Sequence, residues 1–114
     1  MTNPKRGELK LSLGGETYNA RVTLDAIMKI EAACGMGILK VLTGLSEGNL
    51  TTTEVCHIIL PVIRGGGNDF SIKDVQRIVW DAGLADSMKV AGEILSAALT
   101  GGQNEGKLKE VVNG

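Results

Sequence analysis

Hydrophobic and polar residues alternate strictly near the start of the chain. Leu9, Leu11 and Leu13 fall on one face of the stretch from Glu8, and Glu8, Lys10 and Ser12 fall on the other. That is the period of a β-strand with one covered face. Gly14-Gly15 follows, and then a second short run through Tyr18 and Ala20 to Arg21. A two-residue hairpin turn needs positive φ at its centre, which glycine adopts without steric cost, so the pattern predicts an antiparallel hairpin. In its register Leu11 faces Tyr18, Leu9 faces Ala20, and Glu8 meets Arg21 as a cross-strand charge pair. A slip of one residue would turn the leucines to solvent. Two strands alone are marginal in water, so the leucine face must pack on helices or on another chain.

From Thr23 the period becomes helical. Thr23 reads as an N-cap for a helix over about 24–34 that ends at Gly35. Gly37 precedes a short helix over 38–45, with Ile38, Val41, Leu42 and Leu45 on one side. The loop 46–49 leads to Thr51 and Glu54, a capping-box pair. Val55, Ile58, Ile59, Val62 and Ile63 then form one apolar stripe. Pro61 lies within it and predicts a kink or a lost backbone bond. Gly65-Gly66-Gly67-Asn68-Asp69 reads as a flexible connector. Ser71 and Asp74 open a helix carrying Ile72, Val75, Ile78, Val79 and Ala82, which Gly83 ends. The last helix starts at Leu84 or Asp86 and runs to Leu99, with Met88, Ala91, Leu95 and Ala98 as its stripe.

The expected fold class is therefore α+β: an N-terminal two-stranded antiparallel hairpin packed on a bundle of four to five short helices. Residues 1–6 form an N-terminal arm, and 7–100 one domain, with the hairpin in 7–22 and the helices in 24–100. The polar, glycine-rich residues 101–114 read as a flexible C-terminal stretch. A length of 114 residues suits one domain. Aromatic residues are only 3% of the chain against 43% hydrophobic, so the core must be aliphatic.

Charge and motifs exclude several classes of function. The net charge is −1 with no basic block, which disfavours binding to nucleic acid through phosphates. No apolar run reaches the length of a membrane span, and TNPKRGELK after Met1 lacks the apolar core of a signal peptide, so the cytoplasm is the expected compartment. Cys34 and Cys56 lie in separate helical patterns without a Cys/His cluster, so neither a zinc site nor a disulfide is expected.

Individual residues read structurally. Glu31 falls in the apolar arc of Leu24, Ile27, Met28 and Cys34 and needs a partner, either backbone N–H groups near Gly37 or Arg21. His57 lies off the apolar stripe and reads as solvated. Its neighbour Cys56 points about 100° away on a helix, so the two make no nucleophile–base unit. The triple glycine lacks the Gly-Lys-Ser/Thr ending of a phosphate loop. Asp69, Asp74, Asp81 and Asp86 lack the spacing of a calcium loop and suit helix starts and caps. Phe70 and Trp80 read as core anchors, with the alternative that one of them marks a partner groove.

The chain also resembles a known family. The resemblance is carried by Arg6 to Glu8, by Leu9 to Tyr18 with its Gly14-Gly15 turn, and by Arg21 and Thr23 at the junction. It continues through Asp25 to Ile27, Ile30-Glu31, Gly35, Leu50-Thr51, Arg64 with Gly66-Gly67, and Asp81 to Leu84. In order and spacing these resemble the gene transfer agent tail-assembly chaperones, also described as a phage tail tube-associated family. The resemblance implies a non-enzymatic protein without catalytic residues, cofactor or metal. It implies transient binding of the tape-measure or tail-tube protein during virion morphogenesis, as in a prophage. The alternative is a structural tail component that stays in the particle as a homo-oligomer. An enzyme with an unrecognised site is the weakest reading. The expected partner-binding surface comprises Leu9, Leu11, Tyr18, Phe70 and Trp80, at the hairpin edge or in an aliphatic groove between the later helices.

Overall fold

Strands β1 (Glu8–Leu13) and β2 (Glu16–Arg21) pair antiparallel in the register that the alternation dictates. Leu11 lies opposite Tyr18, Leu9 opposite Ala20 and Glu8 opposite Arg21. The turn glycines Gly14 and Gly15 have φ of 63° and 85°, which a residue with a Cβ adopts only at a cost. The structure, a computed structural model, describes residues 7–100. The N-terminal arm and the C-terminal stretch expected above lie outside the described residues.

Five helices follow: α1 (Leu24–Cys34), α2 (Ile38–Ser46), α3 (Thr52–Gly65), α4 (Ile72–Ala82) and α5 (Leu84–Thr100). The fold is thus α+β, a hairpin packed against five helices. Local chemistry sets the helix starts. The Thr23 hydroxyl accepts the Ala26 N–H at 3.0 Å. Thr51 with Glu54, and Ser71 with Asp74, form reciprocal capping boxes that satisfy two otherwise orphaned donors each. Hydrogen bonds from Ser71 hold the Asp74 carboxyl below its ordinary pKa. The Gly35 N–H closes α1 on the Glu31 carbonyl, in the left-handed conformation at φ 70°.

Helix α3 is the centre of the molecule and touches β2, α1, α4 and α5. Its stripe of Val55, Ile58, Ile59, Val62 and Ile63 is fully buried, joined by Cys56. Burial of each large aliphatic side chain here contributes roughly 1.5–3 kcal/mol relative to exposure. Helix α5 lies across β1, α2, α3 and α4, and Leu11 and Leu13 of the hairpin join the same core. Pro61 does not end α3, which continues to Gly65.

Three buried faces differ from the sequence pattern. On α1, Leu24 and Met28 are 72% and 58% exposed, and Ala26 and Ile30 are buried beside Cys34 instead. On α5, Met88 is exposed, and Ser87, Val90 and Ile94 are buried beside Ala91, Leu95 and Ala98. The cause is the same in both helices. Each has more apolar residues than one stripe holds, and the neighbouring helices select the arc that packs. Ser87 is tolerated inside because its hydroxyl donates to the Gly83 carbonyl at 2.9 Å. Trp80, read as a core anchor, projects from α4 and is 80% exposed. Val75 and Val79 form the buried stripe of that helix, and position 80 lies on the opposite side.

The glycine connector after α3 is a packed seam. A Cβ at Gly66 would overlap the Asn19 carbonyl oxygen and the Ala20 backbone, and one at Gly65 would lie 2.8 Å from the Arg21 carbonyl oxygen. Asn68 clamps the seam, its Nδ2 donating to the Asn19 carbonyl at 2.8 Å and to the Ile63 carbonyl at 3.0 Å. The C-terminal end of α3 and its loop therefore sit directly on the outer edge of β2.

Three outcomes follow for stability. Leu11→Asp or Ile59→Asp places an unpaired carboxylate at a site of 0% exposure, and the chain loses its cooperative unfolding transition by circular dichroism. Gly66→Ala forces the seam apart and lowers the unfolding free energy by about 1–3 kcal/mol in a denaturant titration. Gly37→Ala, where a Cβ meets Glu31 Oε2 at an ordinary 3.9 Å, changes it by less than about 1 kcal/mol.

Candidate functional site

The five residues expected at a partner surface occupy three different environments. Leu11 is fully buried and belongs to the core, so it supports the hairpin from beneath and presents nothing to a partner. Leu9, Tyr18 and Phe70 are partly buried and pack against that core. Tyr18 and Phe70 meet edge to face, with ring centroids 6.0 Å apart at 79°. Burial, then the carboxylates of Glu16 and Asp81, push the Tyr18 phenol pKa up, so it stays a neutral donor. Trp80 alone among the five is freely exposed.

Trp80 stands at the end of α4, where Gly83 breaks the chain before α5. Leu84 and Met88, one helical turn apart on α5, are 41% and 36% exposed at the same junction. The hairpin turn meets this junction from the other side. A Cβ at Gly14 would lie 3.3 Å from the Ala82 Cα, and the Gly14 N–H donates a long bond to Asp86 Oδ2 at 3.4 Å. The α4–α5 corner is thus held by the hairpin and carries large apolar groups outward.

Apolar groups are exposed elsewhere too, at Leu24 and Met28 on α1 and at Leu39 on α2. A shallow groove between α1 and α3 is lined by Asp25, Lys29, His57, Pro61 and Arg64. The Asp25–Lys29 pair, at 3.0 Å, sits there between exposed groups and contributes little to stability. His57, read as solvated, is half-buried in this groove. A more apolar groove follows α2, with Met36, Leu39 and Leu50 among its walls. It lies early in the helical region, away from the later helices where an aliphatic groove was expected.

The two edges of the hairpin differ. On β2 the outward-facing Asn19 carbonyl is taken by Asn68, and the Arg21 carbonyl lies against Gly65. On β1, Val22 N–H donates to the Gly7 carbonyl at 2.9 Å, so Gly7 faces β2. Alternation then turns the N–H and C=O groups of Glu8, Lys10 and Ser12 away from β2. Among the described residues none of these groups has a hydrogen-bond partner.

Two of the candidate chemical groups have structural partners. Glu31 Oε2 accepts the Ile38 N–H at 2.9 Å, capping α2 where Gly37 offers no side chain. Asp74 is committed to Ser71. Among the described residues no three His, Cys, Asp or Glu side chains gather as a metal site. No helix of these residues is long and apolar enough to cross a membrane. The residues that sequence reasoning missed are Gly66 and Asn68. Their partners lie about fifty positions away, so the only local signal was a glycine run ending in asparagine.

Comparison with known proteins places the chain. Residues 6–101 match the family described as phage tail tube protein, GTA-gp10. The chain belongs to that family of tail-assembly proteins of phages and gene transfer agents, which is not an enzyme family. No curated protein and no solved structure matches the chain significantly.

Cys34 and Cys56 are buried, and burial pushes both thiol pKa values up, with Glu54 adding to the effect at Cys34. A raised pKa leaves little thiolate at neutral pH. Both thiols therefore resist an aromatic disulfide reagent in the folded protein and react at once in denaturant, as followed by absorbance.

Proposed function

We propose that this protein is a phage-like tail-assembly chaperone, which binds the tape-measure or tail-tube protein transiently in the host cytoplasm. Membership of the tail-protein family supports the setting. The exposure of Trp80 at the α4–α5 corner is the observation that carries the binding reading. A tryptophan gains more from burial than most side chains and recurs as the anchor of interfaces. In a chain with one Trp, one Tyr and one Phe, leaving the Trp outside is a poor use for a core and a good one for a docking face.

The physical task fits such a face. A tape-measure chain is long and helical, and its apolar stripes aggregate unless covered. A helper must cover them through a modest patch, so that tube subunits can displace it as the tube polymerises. Trp80 with Leu84 and Met88 offers an exposed apolar ridge against which a partner helix can lie. Tyr18 and Phe70 brace the hairpin on the same helical layer, and Leu9 adds a half-open apolar group on β1. The second reading, a structural component that stays in the particle as an oligomer, draws on the family description itself, which names a tail tube protein.

Two measurements separate these readings. In cells making the complete tail gene set, the chaperone reading expects the chain with soluble tape-measure or tube protein and absent from finished particles. Stoichiometric recovery in purified particles overturns it in favour of the structural component. Trp80→Ser removes the anchor without touching the core, so the unfolding free energy stays within about 0.5 kcal/mol. Its affinity for the co-expressed tail protein falls about thirty-fold, the equivalent of about 2 kcal/mol. Undiminished binding by this variant shows that the α4–α5 corner is not the docking face.

A further inference from the structure

We propose that the open edge of β1 pairs with β1 of a second copy of this chain, antiparallel about a two-fold axis, to form a four-stranded sheet. The inference stands apart from the tail-assembly reading, because it rests on the hairpin edge and not on Trp80 or on the family.

The edge itself is the first observation. Glu8, Lys10 and Ser12 turn their backbone groups outward, and none is paired among the described residues. The opposite edge, on β2, is closed by the end of α3 and by Asn68. One edge of the hairpin is therefore protected and the other is a template for strand addition. Identical edges can satisfy one another only in antiparallel sense about a two-fold axis, which makes a second copy a geometrically closed solution.

Charge selects the occupant and the register. Only the outward-facing residues can form hydrogen-bonded pairs across the new seam. Setting Lys10 on the axis would place it against the partner's Lys10, and setting Glu8 there would place it against the partner's Glu8. Both registers oppose like charges. The register between them puts Glu8 opposite the partner's Lys10 and Lys10 opposite the partner's Glu8, so both pairs attract. Glu8 already faces Arg21 within the hairpin, at 3.9 Å. Across the solvent face of the joined sheet the order becomes Arg21, Glu8, the partner's Lys10, with alternating sign.

The apolar face gives an independent reason for the same register. It places Leu9 on the two-fold axis against the partner's Leu9. Of the three leucines of β1, Leu11 and Leu13 are buried by the helices and Leu9 is left half-open. Self-pairing covers the one leucine of β1 that the helices leave half-open. Such a seam is small beside the roughly 1,200 Å² or more of a stable interface, so the dimer is weak and concentration-dependent.

The test is sedimentation equilibrium of the full chain from about 10 µM to about 1 mM, the range in which a small seam associates. The expected result is a monomer–dimer equilibrium that tightens with concentration. Glu8→Lys and Lys10→Glu each turn both cross-strand pairs repulsive and weaken self-association at least about ten-fold. Both positions are exposed, and circular dichroism verifies that each variant folds. An equimolar mixture of the two variants restores the dimer, because every cross-strand pair then attracts. A wild-type chain that stays monomeric at the highest concentration overturns the proposal, as does a dimer indifferent to both reversals. A mixture that fails to associate while the wild type dimerises overturns the register. Capture of a tail-protein strand at this edge by a monomeric chain assigns the edge to a different occupant and equally overturns it.

Discussion

A two-stranded hairpin has no interior of its own, and everything about this molecule follows from how that deficit is met. The leucine face of β1 must be covered, and the cover is a helical layer centred on α3 and α5. What fixes the hairpin to that layer is the approach of the α3 terminus to the edge of β2. Gly65 and Gly66 allow backbone to meet backbone there, and Asn68 supplies the hydrogen bond that the approach would otherwise leave unmade. With that seam closed, Leu11 and Leu13 enter the same core as Ile58, Ile59 and Ile63.

The same seam gives the hairpin its asymmetry. Because α3 seals one edge, the other edge is the one place where the sheet can grow. The hairpin turn in turn sits against the α4–α5 corner, which holds Trp80 outward. The two surfaces proposed for binding, the β1 edge and the Trp80 corner, are therefore consequences of one packing arrangement. The interior between them is aliphatic and its polar groups are satisfied. The only buried polar side chain in the described core, Ser87, is bonded to Gly83, and both thiols are held protonated. Such an interior suits a protein whose work is done by its surface, in line with a family that is not enzymatic.

Much of the fold could be read from local chemistry. Alternation with a Gly-Gly turn specified the hairpin and its register, since only one register keeps the leucines together. Thr23, Thr51 and Ser71 marked three helix starts, because a cap is a contact between residues three apart. The need of Glu31 for a backbone partner was likewise visible, since its acceptor role reaches only to Ile38. The surface was less legible. Leu11 belongs by its pattern to the leucine face and to the expected partner surface, and in this structure it is fully buried. Residue type makes Trp80 a core anchor or a partner contact, and its helical position relative to Val75 and Val79 turns it outward, where it is exposed.

The sequence by itself determined the elements, their ends and the pairing of the two strands, because each depends on residues within a few positions or on a strict period. Tertiary structure decided which apolar arcs of α1 and α5 are buried, since a helix with apolar residues on several sides takes its inside from its neighbours. It also decided that a run of glycines is a seam and not a slack connector, because the steric demand on Gly66 comes from Asn19 and Ala20, far away in the chain. And it decided which hairpin edge stays open. Both strands present the same unpaired backbone groups in sequence, and only the landing of α3 on β2 distinguishes them.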